Sequence, residues 1–392
     1  MDSTENPEID YLERVRALAP IILGAADEAE RDRELAPDLV AALHKASLFR
    51  LLLPIPFGGA EVDVPAYFQI IESVAKFDAS TAWCLCQSNG CAMAAAYMDA
   101  DAAQTIWGDD PKASVAWGPG KATVCDVAGG YRVTGNWSFA SGGRHATWFG
   151  GHTNILNPEG KPTRNDDGTP AVLTMMFPAT QAPMTAIWDV VGLRGTGSDA
   201  FAVQDLFVAK EYTVLRDIPA ARRYDAPLYH FPAMCLYAAG FAGTALGIAR
   251  AMYESFMELA LEKQPRLQRY RLSEDPVVQW QVAQAKAKLE SARSYLLGVL
   301  TEIWAEVVAR DKITVEQRMA IRLSSTYAIH QAKEAADLVY EMAGATAIFN
   351  ANPFERRFRD LHTLTQQLQG RKAHFQTVGA FLFGNKPDLS VS

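Results

Sequence analysis

The spacing of apolar residues changes character twice along the chain. Leu12, Val15, Leu18, Ile21 and Ile22 step by three and four, and Leu39, Leu43 and Leu48 resume that rhythm after Pro37. Residues 8–110 therefore read mainly as helix, interrupted by a turn at "PFGGAEVD" and by a break at Asp78. Behind Asp78 the helix is rich in small residues, which lets another backbone or a flat ligand come close. From 111 the pattern becomes short runs of Val, Thr, Trp and Phe separated by Gly and "NPEG" turns, the mark of a β-domain built as a small barrel or sandwich. The polar stretch "NPEGKPTRNDDGTP" at 157–170 reads as an exposed hairpin tip. Helical spacing returns near residue 230. Asp275-Pro276 looks like an N-cap with proline at the first helical position. Val278, Val282, Ala285, Leu289, Ala292, Leu296, Val299 and Ile303 follow as one apolar stripe. With 235–262 and 315–345 of similar pattern, a four-helix bundle is expected. The predicted domains are 1–110, helical; 111–220, β; and 221–392, a helical bundle.

Composition narrows the class. The 392 residues are 49% hydrophobic and 21% charged, ordinary for a globular chain, and the formal net charge of -8 speaks against nucleic acid or an anionic membrane as partner. No apolar run approaches the ~18 residues that span a bilayer. The start, "MDSTENPEIDYLERV", is polar and acidic, unlike a secretory segment. Five cysteines (84, 86, 91, 125 and 235) show no metal-site spacing, so reduced thiols, a cytoplasmic location and no metal are expected.

One stretch stands out chemically. "VVGLRGTGSDAFAVQDLFV" (190–208) places three glycines, Arg194, Thr196 and Ser198 at a turn between two apolar runs that read as strands. A plain hairpin turn accounts for the glycines, and Arg194 has Asp199 nearby as an ion-pair partner.

The order of helices, β-domain and helical bundle, together with four motifs, resembles the acyl-CoA dehydrogenase fold. The motifs are "LFRLLLPIPFGGAEVD", "GGYRVTGNWSFASGGRHATW", "VVGLRGTGSDAFAVQDLFV" and "NPFERRFRDLHTLTQQ". Within that superfamily "DASTAWC", "WSFASGGRHATW" and "GLRGTGS" are nearer to flavin-dependent monooxygenases. These are the oxygenase components of p-hydroxyphenylacetate and steroid A-ring hydroxylases, and dibenzothiophene monooxygenase. The resemblance implies reduced FMN or FAD from a separate flavin reductase, O2 as cosubstrate and a homotetramer. It also implies hydroxylation of a small aromatic or heteroaromatic substrate through a flavin C4a-hydroperoxide.

The resemblance also assigns site residues. A glycine-rich turn would present backbone N–H groups to the anionic edge of reduced flavin, with Arg194 as a fixed charge and Thr196 and Ser198 as hydroxyls. Ser141 matches the serine that donates to flavin N5, next to the position where oxygen adds. Trp117 is expected to stack near a flavin face, and Arg271 to reach a flavin phosphate of a neighbouring subunit. His145 matches a histidine of the subgroup, for which a structural role is equally suited. Cys91, His362, Gln366 and His374 are candidates for substrate contact, and Gln367 for a catalytic position.

The departures are as informative. The catalytic carboxylate of an α,β-dehydrogenase would fall nine residues after Arg359, at Leu368, or on the helix near 235–250, where no acid occurs. A general base for proton abstraction is therefore missing, which weighs against the alternative, an acyl-CoA dehydrogenase-type flavin oxidoreductase. Histidines of phenol-hydroxylating relatives would fall at Gly90 or Cys91 and at Gln367. An electron-rich substrate such as an indole, or oxygenation at N or S, fits their loss. A third reading, a non-enzymatic oligomer with the same fold, is opposed by Ser141 and the GLRGTGS turn.

Overall fold

The computed structural model describes residues 11–155, 161, 163–165, 168 and 171–389. The acidic start and most of the 157–170 tip lie outside them. Helices α1 (Tyr11–Asp32), α2 (Pro37–Lys45), α3 (Val64–Ala75), α4 (Ala79–Ala92) and the single turn α5 (Ala100–Ala103) form the first region. The break read at Asp78 is the start of α4, whose first-turn amide on Thr81 donates to the Asp78 carboxylate at 2.6 Å.

The middle region is a sandwich of two four-stranded sheets. One holds β1 (Val115–Trp117), β4 (Trp148–Asn154), β5 (Val172–Pro178) and β8 (Thr213–Val214). The other holds β2 (Gly120–Val127), β3 (Gly130–Ala140), β7 (Asp199–Ala209) and β6 (Met184–Thr185). Trp137, Phe149, Phe177 and Phe201 fill the space between them. The first half of the 190–208 stretch is not a strand, contrary to the sequence pattern. A Cβ on Gly192 would sit 2.3 Å from the Arg359 carbonyl oxygen, so the chain here lies against a helix and not in a sheet. Val191 is left 70% exposed.

Three long helices follow: α6 (Ala233–Glu262), α7 (Pro276–Arg310) and α8 (Val315–Ala343). Two short ones, α9 (Glu355–Leu364) and α10 (Ala373–Leu382), stand where a fourth long helix was expected. The stripe on α7 is buried as predicted, except that Leu300 takes the place of Val299 and Val282 is only half-buried. By length and composition α6 could cross a membrane, with mean hydropathy 1.2, contrary to the expectation that no apolar run was long enough. That window is 89% buried inside the fold, because α6 is the core helix on which α3, α4 and α8 pack. Small residues make the close approach possible: the ring of Tyr237 on α6 fills the place a Cβ of Gly90 on α4 would need.

Candidate active site

The 193–198 turn is held from four directions. Its Leu193 amide donates to the Asp360 carboxylate of α9 at 2.6 Å, with Leu193 itself left-handed at φ 53°. Asp360 is buried, and that desolvation pushes its pKa up to about 7. Arg194 bonds to Glu30 of α1, through the side chain at 3.5 Å and the carbonyl at 3.2 Å, and to the Val190 carbonyl at 3.0 Å. Glu30 is shared with Arg359 at 2.9 Å. Asp199 accepts the amides of Ile187 and Trp188 and pairs with Arg144 at 2.8 Å. Arg194 thus joins the domains and does not pair with Asp199; three acceptors, two on Glu30 and one on Val190, already hold its charge in place.

Inside this frame lies a chain of hydroxyls. Trp83 of α4 donates its indole N–H to Ser141 Oγ at 2.9 Å. Ser141 Oγ is 2.7 Å from Ser198 Oγ, and Ser198 Oγ is 2.7 Å from Thr196 Oγ1. Thr196 donates to the Leu193 carbonyl at 2.8 Å. Each hydroxyl has one proton, so the carbonyl at the end fixes the direction of all. Thr196 must accept from Ser198, and Ser198 from Ser141. Ser141 is left with one free lone pair and no free proton. Toward a ligand at that lone pair Ser141 Oγ can only accept, whereas the sequence reading expected it to donate.

Two residues before Ser141, Phe139 adopts φ 60° and turns its ring 55% into solvent. A non-glycine aromatic in the left-handed region costs of order 1–3 kcal/mol. The twist breaks strand alternation at a register shift between β3 and β7. Phe139 meets Trp188 edge-on at 6.0 Å, with Ile187 and Val191 exposed on either side of Trp188 in sequence. An apolar patch beside a hydroxyl acceptor fits the flat tricyclic ring of a flavin and its N5–H. Sequence reading missed Phe139, Trp83 and Asp360; only the aromatic out of step in "WSFAS" signalled the first.

A second cluster lies where α4, β1 and α6 meet. Cys91 Sγ is 3.7 Å from the Tyr237 hydroxyl, and burial pushes its thiol up to about 12, so it is a neutral wall and not a nucleophile. Gln87 makes only long contacts, 3.5 Å to the Trp117 carbonyl and to Tyr237, and 3.8 Å to Cys91. Trp117 is buried; the Arg216 guanidinium lies over its ring at 4.4 Å and His152 meets it edge-on at 5.1 Å. With that face covered, Trp117 does not offer the open stacking surface expected of it.

Other expected residues are engaged elsewhere. His362 pairs with Asp337 at 2.8 Å and lies on Phe358, and His374 is buried with its Nε2 on the Leu368 carbonyl at 2.7 Å. His374 is closed to a substrate, whereas the His362 side chain keeps 36% of its surface exposed beside Asp337. Gln366 is exposed and bonds only to Thr365 at 3.2 Å. Gln367 accepts the Gln369 amide at 2.7 Å, while its own Nε2 is buried without a partner. Arg271 is exposed, its amide on Glu274 at 2.7 Å. His145 is half-buried, with its ring against Gly142, and desolvation pushes its pKa down to about 4. All five cysteines are free, and no group of metal-ligating side chains occurs among the described residues.

Comparison with known proteins agrees with this geometry. Residues 10–105 match the acyl-CoA dehydrogenase N-terminal domain, and residues 239–369 match the acyl-CoA dehydrogenase C-terminal domain. Indole-3-acetate monooxygenase of Pseudomonas putida is 31% identical over 346 residues, 87% of this chain and 85% of that one. The flavin-dependent monooxygenase oxygenase subunit HsaA of Rhodococcus jostii is 28% identical over 361 residues, 90% and 92% of the two chains. The crystal structure of 3-HSA hydroxylase from Rhodococcus sp. RHA1 superposes with a TM-score of 0.88 at 25% identity, covering 98% of this chain and 99% of that one. The chain belongs to the acyl-CoA dehydrogenase family. Within it, the chain is a flavin-dependent monooxygenase, an oxidoreductase.

Proposed function

We propose that this chain is the oxygenase component of a two-component system that hydroxylates an indole-type aromatic substrate. A separate reductase supplies FMN or FAD in reduced form. The observation that carries the reading is the one-way hydroxyl chain that leaves Ser141 as a buried acceptor beside Phe139 and Trp188. When bound, reduced flavin supplies the two electrons that activate O2; one oxygen atom enters the substrate and the other leaves as water. This chain's contribution is to hold the N5 hydrogen at Ser141 Oγ and to keep water from that position. Cys91, Tyr237 and Gln87 wall the neighbouring space without an acid or base. The relatives named for indole-3-acetate and for resorcinol support an aromatic class, and the loss of both phenol-deprotonating histidines favours a substrate already rich in electrons. Apolar residues left exposed on α6 and α7, among them Leu261, Val277, Trp280 and Val308, favour a homotetramer with paired bundles, in which Arg271 would reach a neighbour's flavin. The four buried free thiols, Cys84, Cys86, Cys91 and Cys235, suit the cytoplasm. The test is to supply reductase, NADH, flavin and indole-3-acetate, and to measure hydroxylated product against hydrogen peroxide. Product that tracks flavin oxidation supports the reading; peroxide alone, across indoles and phenols, refutes it.

A further inference from the structure

Around the first turn of α6 the fold holds more hydrogen-bond donors than acceptors. Arg216 Nε is buried and has no partner, and neither has Gln367 Nε2. Arg322 Nη1 reaches the Gln369 side chain, but its Nε and Nη2 are also unpartnered. Among the described residues no carboxylate pairs with Arg216. The acid beside it, Asp217, is turned to α6 and accepts the Ala233 amide at 2.9 Å. A guanidinium taken partly out of water without a counter-charge is costly, and a structure that keeps one commonly uses it for a ligand.

The two arginines differ in reach. Arg322 is 1% exposed and sealed by Gln369, whereas Arg216 is half-buried with its guanidinium 4.4 Å from the centre of the Trp117 ring. Its charge is felt across the second cluster: it opposes the upward push of burial on Cys91 and Tyr237, and it adds to burial in lowering His152. Gln87, whose side-chain amide makes no contact shorter than 3.5 Å, stands in the same cluster as a donor not yet well used. The arrangement offers a cation backed by the covered Trp117 ring and an uncharged wall of thiol, phenol and amide. A carboxylate is an acceptor only, with two oxygens that match the guanidinium fork.

We propose that Arg216 recognises the carboxylate of the substrate, so that the enzyme selects aromatic acids with a short acidic arm over their neutral analogues. This rests on the reading of the chain as an aromatic monooxygenase and names the substrate class of that site. The balance of the reaction is unchanged: the carboxylate is bound and not consumed.

The probes are indole-3-acetate and indole-3-acetamide, which differ in charge and little in shape. Binding of each to the full-length protein is measured by calorimetry without flavin, and KM is measured with reductase present. The parent should bind the acid more tightly. Arg216→Gln should weaken the acid on the order of ten- to a hundredfold, the range for a lost charge-assisted bond, and leave the amide as it was. Arg216→Lys should restore part of the loss, since it keeps the charge and not the fork. Unchanged amide binding shows that the variant is folded. Equal loss for acid and amide, or no loss for either, overturns the proposal. So does a loss confined to flavin affinity, which would make Arg216 a phosphate ligand. If the parent oxygenates both probes equally well, the Arg216 inference fails and the monooxygenase reading stands. If it oxygenates no aromatic at all, that reading fails first.

Discussion

Ser141→Ala tests the direction of the hydroxyl chain as well as its purpose. The substitution removes the acceptor for the Trp83 indole N–H and the donor to Ser198 in one step. Trp83 is 9% exposed and stacked on Phe241 at 4.0 Å, so its N–H has no ready water to turn to. A buried donor left without an acceptor costs about 1–3 kcal/mol, and the neutral bond to Ser198 adds about 1 kcal/mol, so a loss of about 2–4 kcal/mol is expected. Denaturant melts of parent and variant, with equal slopes, measure it. In turnover the variant should oxidise reduced flavin and release hydrogen peroxide in place of product, because the N5 hydrogen has lost its acceptor. Ser198→Ala sharpens the test. It leaves Ser141 in place but frees its proton, so Ser141 can turn a donor toward another donor, and coupling should fall although the serine is still there. If Ser198→Ala couples as well as the parent while Ser141→Ala does not, the polarity argument is wrong. If both couple normally, the whole group is only a turn.

Asp360 gives a pH signature. Its folded pKa of about 7 lies above the ordinary 3.8, so its contribution is fully present below pH 3.8 and lost as pH rises through 7. Relative to Asp360→Asn, the parent should lose on the order of 4 kcal/mol of stability across that range, read from denaturation midpoints at several pH values; parallel curves would contradict it. Gln369→Leu removes the acceptor of the buried Arg322 guanidinium and should cost on the order of 1.5–3 kcal/mol; a variant as stable as the parent would show that the cation is satisfied elsewhere. Phe139→Gly should relieve the left-handed strain and hold or raise the melting temperature, yet weaken reduced-flavin binding measured by equilibrium titration. Unchanged flavin affinity would remove Phe139 from the site.

What the sequence made legible is what repeats locally. The α7 stripe and its Asp275 cap need only neighbours three and four positions away, and the Asp275 carboxylate does accept the Val277 amide at 2.8 Å. The three-part order of elements and the hydroxyl set at 141, 196 and 198 were legible for the same reason, since each lies in a short run of distinctive composition. Partners were not. Arg194 sits five residues from Asp199 but bonds to Glu30, 164 positions away, because Asp199 is already committed to two amides and Arg144. The histidines at 362 and 374 looked available because nothing in the pattern shows Asp337 or the Leu368 carbonyl beside them. Arg216 carries no motif, and its interest comes only from what does not face it. Hydrogen-bond direction is also invisible in a sequence, since it depends on which group ends the chain.

The same contacts explain why this site needs all three regions. Ser141 belongs to the β-domain, but its proton is aimed by Ser198 and Thr196, whose direction is set by the Leu193 carbonyl. Leu193 is placed by Asp360 of α9, Arg194 is tied to α1, and the indole that fills the other side of Ser141 comes from α4. No one of these elements defines the acceptor alone. A β-domain cut free would keep the serine and lose the indole donor on Ser141 as well as the Asp360 that places Leu193. The site is therefore a property of the junction, and changes at Asp360 or Glu30 should be felt as lost coupling before they are felt as lost fold.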